Sequence, residues 1–329
     1  MSTQKHYNYC LDYLKGIACI FVVFMHCEFP GFFGIAVQAI SRFCVPLFFM
    51  VSGFYCYKEF TITMPKRRNK VIHIWGITVN ASLFYILFAL VQSWIWGDVS
   101  LTVSFGKIIV FVCFNQMYII VSQMWFLFAL LYVYVVYMFV GGTDWFRQHS
   151  IKIAGTCLIL YVCLAQGCHI VGLSVPNFIY KNWLIEGLGF FTLGYVIHKY
   201  QKSLSYNNST LLSIVALFTV LSLIERFLLE RDFGVNICSI PQVTALFLYA
   251  LNNPKSHKGY IQRLGKTCSM FIYILHPFVW HSLERVYNAV HINGNIVALY
   301  LMPLAVLLLT ILLSVFCYRC QNKMKTQLS

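Results

Sequence analysis

Charge is what this sequence has least of. Among its 329 residues only 10 are Asp or Glu and 24 are Lys or Arg, so 10% of the chain is charged, where an ordinary globular domain carries about a quarter. A chain that is 60% apolar and 17% aromatic has too little polar surface to be a soluble domain of this length. It also lacks an internal repeat, a coiled-coil heptad and a low-complexity tract. Those absences remove solenoid, coiled-coil and linker-separated readings, and a single transmembrane domain over 1–329 is expected. Cysteine is not scarce, at 13 residues, but it is scattered through the apolar runs, where it serves as a small apolar side chain. Only Cys317 and Cys320 form a C-x-x-C pair, which is weak ground for metal or redox chemistry, and no metal site is expected.

What is present instead is a series of apolar runs of bilayer length, about 20 residues each. An all-α polytopic bundle is expected, with ten spans near 9–29, 34–57, 71–96, 123–141, 150–170, 183–200, 209–229, 237–252, 266–286 and 295–317. The first run carries Asp12 and Lys15 at its front and is followed by no small-residue cleavage pattern, so it reads as a retained span rather than a signal peptide. The segment 105–121 is apolar but short, and charge decides its placement. With ten spans and a cytoplasmic N-terminus, 18 of the 24 Lys and Arg fall inside, four outside and two (Arg42 and Arg226) within spans; an eleventh crossing at 105–121 changes the split to 10 inside and 12 outside. The positive-inside rule prefers ten. The segment 105–121 is then an interfacial or re-entrant helix on the outer face, and both termini are cytoplasmic. The net charge of +14 is mostly this retention signal, and nucleic acid is not an expected partner.

Ionisable residues inside spans are costly and default to functional hypotheses. Lys15 and His26 are eleven residues apart, within about 20° of one helix face and about 16 Å apart in depth. Asp12 falls within about 40° of His26 on the same wheel. His276 lies ten residues beyond Lys266, about 15 Å from the inner surface and level with His26, so that two histidines are able to face one cavity. Arg42, Glu28, Glu186, Glu225 and Arg226 all fall in the outer half, which makes that half the polar vestibule. Bland readings stand beside these. Lys15 is also a natural snorkelling anchor, and His26 a natural packing histidine. Arg42 has Glu186 and Glu225 as possible ion-pair partners, and Lys66, Arg67, Arg68 and Lys70 suit a topology determinant, with phosphate binding the minority reading. A transporter using the buried His, Arg and Glu as a solute or proton path is the rival class.

One pattern lifts the constellation above these alternatives. Asp12-Tyr-Leu-Lys-Gly-Ile-Ala-Cys-Ile-Phe-Val-Val-Phe-Met-His26, followed by Ser41-Arg-Phe-Cys-Val-Pro-Leu-Phe-Phe-Met-Val-Ser-Gly-Phe54, closely resembles the acyltransferase family 3 membrane proteins. Their hallmark is a basic residue, ten residues and a histidine, then a second span of the "vPlFFmiSGf" type. Met124–Ala129, Gly189–Gly194 and Tyr273–Pro277 extend the resemblance over nearly the whole chain. The family's basic residue is usually Arg; here Lys15 keeps the charge without the bidentate fork. The resemblance implies a bacterial inner-membrane O-acyltransferase moving an acyl group, usually acetyl from acetyl-CoA as co-substrate with no bound cofactor, to a hydroxyl of a surface glycan or its lipid-linked precursor. On that reading Lys15, Lys66, Arg67 and Arg68 meet the acyl-CoA phosphates and His26 is the general base. Arg42 or His276 stabilises the oxyanion, and Glu28, Glu186, Glu225 and Arg226 line the acceptor vestibule amid membrane lipids.

Overall fold

The computed structural model describes residues 7–57, 63–97, 104–116, 122–204, 206–292 and 294–328. Lys5 and Lys58, both counted on the inner side, and residues 117–121 of the interfacial segment lie outside the described residues. The described chain is helical throughout. In order it forms α1 (Tyr9–His26), α2 (Gly31–Ile40), a 3₁₀ turn (Ser41–Phe43), α3 (Cys44–Phe54), α4 (Met64–Trp96), α5 (Phe105–Phe114) and α6 (Trp125–Val140). There follow α7 (Asp144–Val162), α8 (Cys168–Ile170), α9 (Asn177–Tyr180), α10 (Leu188–Tyr200), α11 (Asn208–Leu229), α12 (Ser239–Asn252), α13 (Tyr260–Thr267), α14 (Ser269–Ala289) and α15 (Ile296–Leu328). It is an all-α polytopic membrane bundle.

Seven stretches among the described residues are long and apolar enough to cross a bilayer: 9–26, 31–54, 64–96, 122–140, 144–170, 208–229 and 296–324. The other three expected spans are helical but differ in kind. Leu188–Tyr200 has 13 residues after a π-turn and Ser239–Asn252 has 14. Ser269–Ala289 has 21 but carries two histidines, Glu284 and Arg285. The expected span 266–286 is in fact broken at Cys268 between α13 and α14. α5 has ten residues, about 15 Å of helix, half of the ~30 Å hydrocarbon core. Asn115 ends it in the left-handed region at φ 53°. The buried Asn115 amide then donates to the Trp125 carbonyl (3.0 Å) and accepts from the Trp183 N–H (2.7 Å).

The chain folds as two compact units, 1–47 with 206–329, and 48–205. In the first, α1 packs against α2, α12, α13, α14 and α15. Without a hydrophobic drive between helices in lipid, small residues decide how close they come. A Cβ added at Gly16 would sit 2.2 Å from the Ile261 carbonyl oxygen, and one at Gly265 would sit 1.9 Å from the Asp12 oxygen. These two glycines let the α1 and α13 backbones touch and fix the axial position of α1.

The second unit uses the same device between α3 and α10, where a Cβ at Gly53 would meet the Phe191 oxygen at 1.8 Å and one at Gly194 the Met50 oxygen at 2.0 Å. Its interior is aromatic: Tyr137, Phe146, Phe191 and Tyr195 pack edge to face. The Tyr137 hydroxyl donates to the Cys56 carbonyl at 2.6 Å. The basic run, which falls between the expected spans 34–57 and 71–96, is helical and forms the first turns of the 33-residue α4, with Pro65 preset for helix at its start.

Candidate functional site

The site is built on α1, whose start is capped by the Asn8 side chain accepting from the Leu11 N–H (2.8 Å). At this end the Lys15 ammonium pairs with Asp12 at 3.0 Å. Asp12 also accepts from the Tyr7 hydroxyl, and the Lys266 ammonium lies 4.5 Å from the Tyr7 ring. The cation on the helix stripe is therefore held in a fixed place by a neighbouring carboxylate.

At the other end of α1, His26 is its last residue. Its ring stacks on His276 of α14 with centroids 5.2 Å apart and planes 24° apart. His276 is 1% exposed. Its Nδ1 faces the Ile272 carbonyl at 3.1 Å; an oxygen there requires Nδ1 to carry the proton, leaving Nε2 with a lone pair. That Nε2 is buried and has no hydrogen-bond partner among the described residues. Neutral His276 thus presents an acceptor, not the donor that an oxyanion needs, and the expected oxyanion role does not suit its geometry. Pro277, next in the helix, cannot donate to the Tyr273 carbonyl and loosens the backbone at this point.

A cavity of about 380 Å³ opens beside the pair, lined by His26, Glu28, Trp280, Glu284, Tyr287 and Asn288 among others. Glu28 accepts from the Gln38 amide (2.5 Å) and lies within the electrostatic reach of Arg42, Asp232 and Arg226. Arg42 is 4% exposed and its Nη2 pairs with Asp232 at 2.7 Å. Among the described residues neither expected partner, Glu186 or Glu225, forms an ion pair with it. Glu225 accepts instead from the Ile237 (2.8 Å) and Cys238 (3.0 Å) amides, which lead into α12, where a carboxylate satisfies otherwise unpaired N–H groups. Glu186 belongs to the second unit, buried in the π-turn Trp183–Gly187.

The basic run divides. Arg67 is buried, and its Nε donates to the Met138 carbonyl at 2.9 Å in the last turn of α6. Its guanidinium closes a helix end, while Lys66 and Arg68 are exposed. Cys317 and Cys320 are free thiols, and the described residues contain no cluster of three metal-ligating side chains.

Sequence reasoning missed Asp232 and the α14 face beyond His276. A signal for the latter exists. Tyr287 is eleven residues after His276, the same spacing that links Lys15 to His26, and Trp280 and Glu284 follow at steps of four.

The geometry is that of a polytopic helical bundle with a stacked histidine pair, one ring buried and one half-buried, beside a polar cavity. The acyltransferase domain model matches residues 8–319, and the chain belongs to acyltransferase family 3. It is a membrane acyltransferase. No curated protein and no solved structure matches the chain.

Proposed function

We propose that this protein moves an acetyl group from acetyl-CoA to a hydroxyl of a surface glycan or its lipid-linked precursor. In motif wording and length it most resembles the O-acetyltransferase of enterobacterial common antigen. The observation that carries the reading is the placement of His26: on the cavity, and on the same helix as Lys15, about 16 Å away.

In this mechanism His26 takes the proton from the acceptor hydroxyl as its oxygen attacks the thioester carbonyl carbon. The C–S bond then breaks, and the protonated imidazole returns the proton to the departing thiolate. The His276 ring, fixed by Ile272, holds the plane of His26. Arg42, paired with Asp232, is the cation available to the oxyanion. Lys15 draws the acyl-CoA phosphates, and the exposed Lys66 and Arg68 attract phosphate charge at the membrane surface.

The proposed setting is a bacterial inner membrane with ten crossings and both termini cytoplasmic, which follows from the charge distribution. A reporter fused after Gly142 then reads cytoplasmic; a periplasmic reading overturns that orientation. The activity is tested by release of free CoA from acetyl-CoA by the purified protein, with and without candidate glycans. Glycan-dependent release supports the reading, and acetyl-CoA left intact in the presence of every glycan tried contradicts it.

A further inference from the structure

We infer that the cavity beside His26 is a subsite for a neutral, polyhydroxylated ring, a pyranose, with Trp280 as its platform and Glu284 as its hydroxyl acceptor. The inference rests on the proposed acyl transfer and deepens it by naming the residues that would select the acceptor. About 380 Å³ falls within the ~300–1,000 Å³ of small-molecule sites.

The lining is informative by charge. It holds two carboxylates, Glu28 and Glu284, and no Lys or Arg, so a phosphate or pyrophosphate would be repelled there and the CoA headgroup belongs elsewhere. A bare lipid tail fits no better. An open groove of about 480 Å³ along α14 and α15, lined by Phe278, Leu283, Leu309, Leu312 and Phe316, offers an apolar surface for that, and it lies on a different face of α14.

What the cavity does offer suits a sugar. On α14, Trp280, Glu284, Tyr287 and Asn288 stand at i, i+4, i+7 and i+8, which brings an aromatic plane and three hydrogen-bonding groups to one helix face. An indole face covers the C–H face of a pyranose while keeping its N–H for a polar contact. A carboxylate accepts from two neighbouring hydroxyls, and the Asn288 amide and Tyr287 hydroxyl both donate and accept. Among the described residues Glu284 is held only by a long contact to His281 Nδ1, 3.4 Å, so a hydroxyl can compete for it. His26 lies on the wall of the same cavity, where a base must be to reach one hydroxyl of a bound ring.

The test uses the full-length protein in detergent and three probes: methyl β-glucoside, methyl N-acetyl-β-glucosaminide and methyl β-glucuronide. CoA release from acetyl-CoA is followed against glycoside concentration for the wild type, Trp280→Ala, Trp280→Phe and Glu284→Gln. The expected result is stimulation by a neutral glycoside and not by the glucuronide. Trp280→Ala and Glu284→Gln raise the glycoside KM tenfold or more, with the acetyl-CoA KM within about twofold; Trp280→Phe restores most of the glycoside affinity.

Glycoside titration of tryptophan fluorescence separates the two levels of failure. If the wild type releases no CoA with any glycoside but a neutral one changes a signal that Trp280→Phe lacks, the acyl-transfer reading falls and the sugar subsite stands. If no neutral glycoside gives a Trp280-dependent signal, if the glucuronide binds as well as the neutral sugars, or if the variants raise both KM values alike, the inference is overturned.

Discussion

The two units each hold a stacked, partly buried histidine, and the contrast between them shows what separates a packing imidazole from the one proposed to react. In the second unit His198 lies flat on Phe54, with centroids 4.2 Å apart and planes 19° apart, and its Nδ1 meets the Phe54 carbonyl at 2.6 Å. It ties α10 to the end of α3. In the first unit His26 stacks nearly as flat on His276 but lies on a cavity that also holds carboxylates, an amide and an indole. Stacking is common to both, so stacking says nothing of function; what His26 adds is its place on the wall of a polar cavity. Both units rest on the same mechanical device, a pair of glycines that lets two helix backbones touch.

The largest expected effect breaks the first unit alone. Gly265→Val places side-chain atoms where the Asp12 carbonyl already lies. The fold has no slack in two touching backbones, so loss of monodisperse folded protein in detergent is expected, whereas Gly76→Ala, with open space around it, leaves yield and elution unchanged. Equal yields for the two would mean that α1 and α13 do not need their close approach.

Lys15 comes next. Lys15→Ala is expected to raise the acetyl-CoA KM about tenfold and Lys15→Arg to preserve it, because the charge is kept and only the head-group geometry changes. Equal KM values for Ala and Lys would reduce the residue to an interface anchor paired with Asp12.

A smaller effect divides the basic run. Neutralising Lys66 and Arg68 together raises the acetyl-CoA KM modestly at unchanged thermal stability. Arg67→Gln does the reverse, since its guanidinium serves the Met138 carbonyl and a lost partner leaves that carbonyl short of a donor. If Arg67→Gln shifted KM and not the melting temperature, Arg67 would be a phosphate ligand after all. The smallest effect is expected for His198→Gln, with turnover within about threefold of the wild type because the side chain ties two helices together; a large fall would place chemistry in the second unit.

Much of this was legible from the residue pattern. Composition and apolar runs give the membrane bundle, and the basic-x10-histidine stripe with the Tyr273–Pro277 motif gives the family. Depth counting sets His26 and His276 level, and their rings stack in the fold. What the pattern cannot encode is partner choice, which depends on where loops return. Arg42 takes Asp232 from the turn after α11 rather than a glutamate within a span, and Glu225 is occupied by the amides entering α12. Arg67 reads as one of four equivalent cations until α6 places a carbonyl beside it. The break at Cys268 falls within the expected span 266–286, where the polar α13 gives way to the apolar start of α14.

The central claim is that the His26 imidazole removes the acceptor proton, and His26→Gln tests it most directly. Gln keeps the size and hydrogen bonding of the side chain but accepts no proton at neutral pH. With purified protein and saturating acetyl-CoA and acceptor, kcat is expected to fall by about 10²–10⁴-fold, the usual contribution of positioned acid–base catalysis. Both KM values and the melting temperature should stay close to those of the wild type. Near-normal turnover by His26→Gln would contradict the claim and move the search for the base to the Nε2 lone pair of His276.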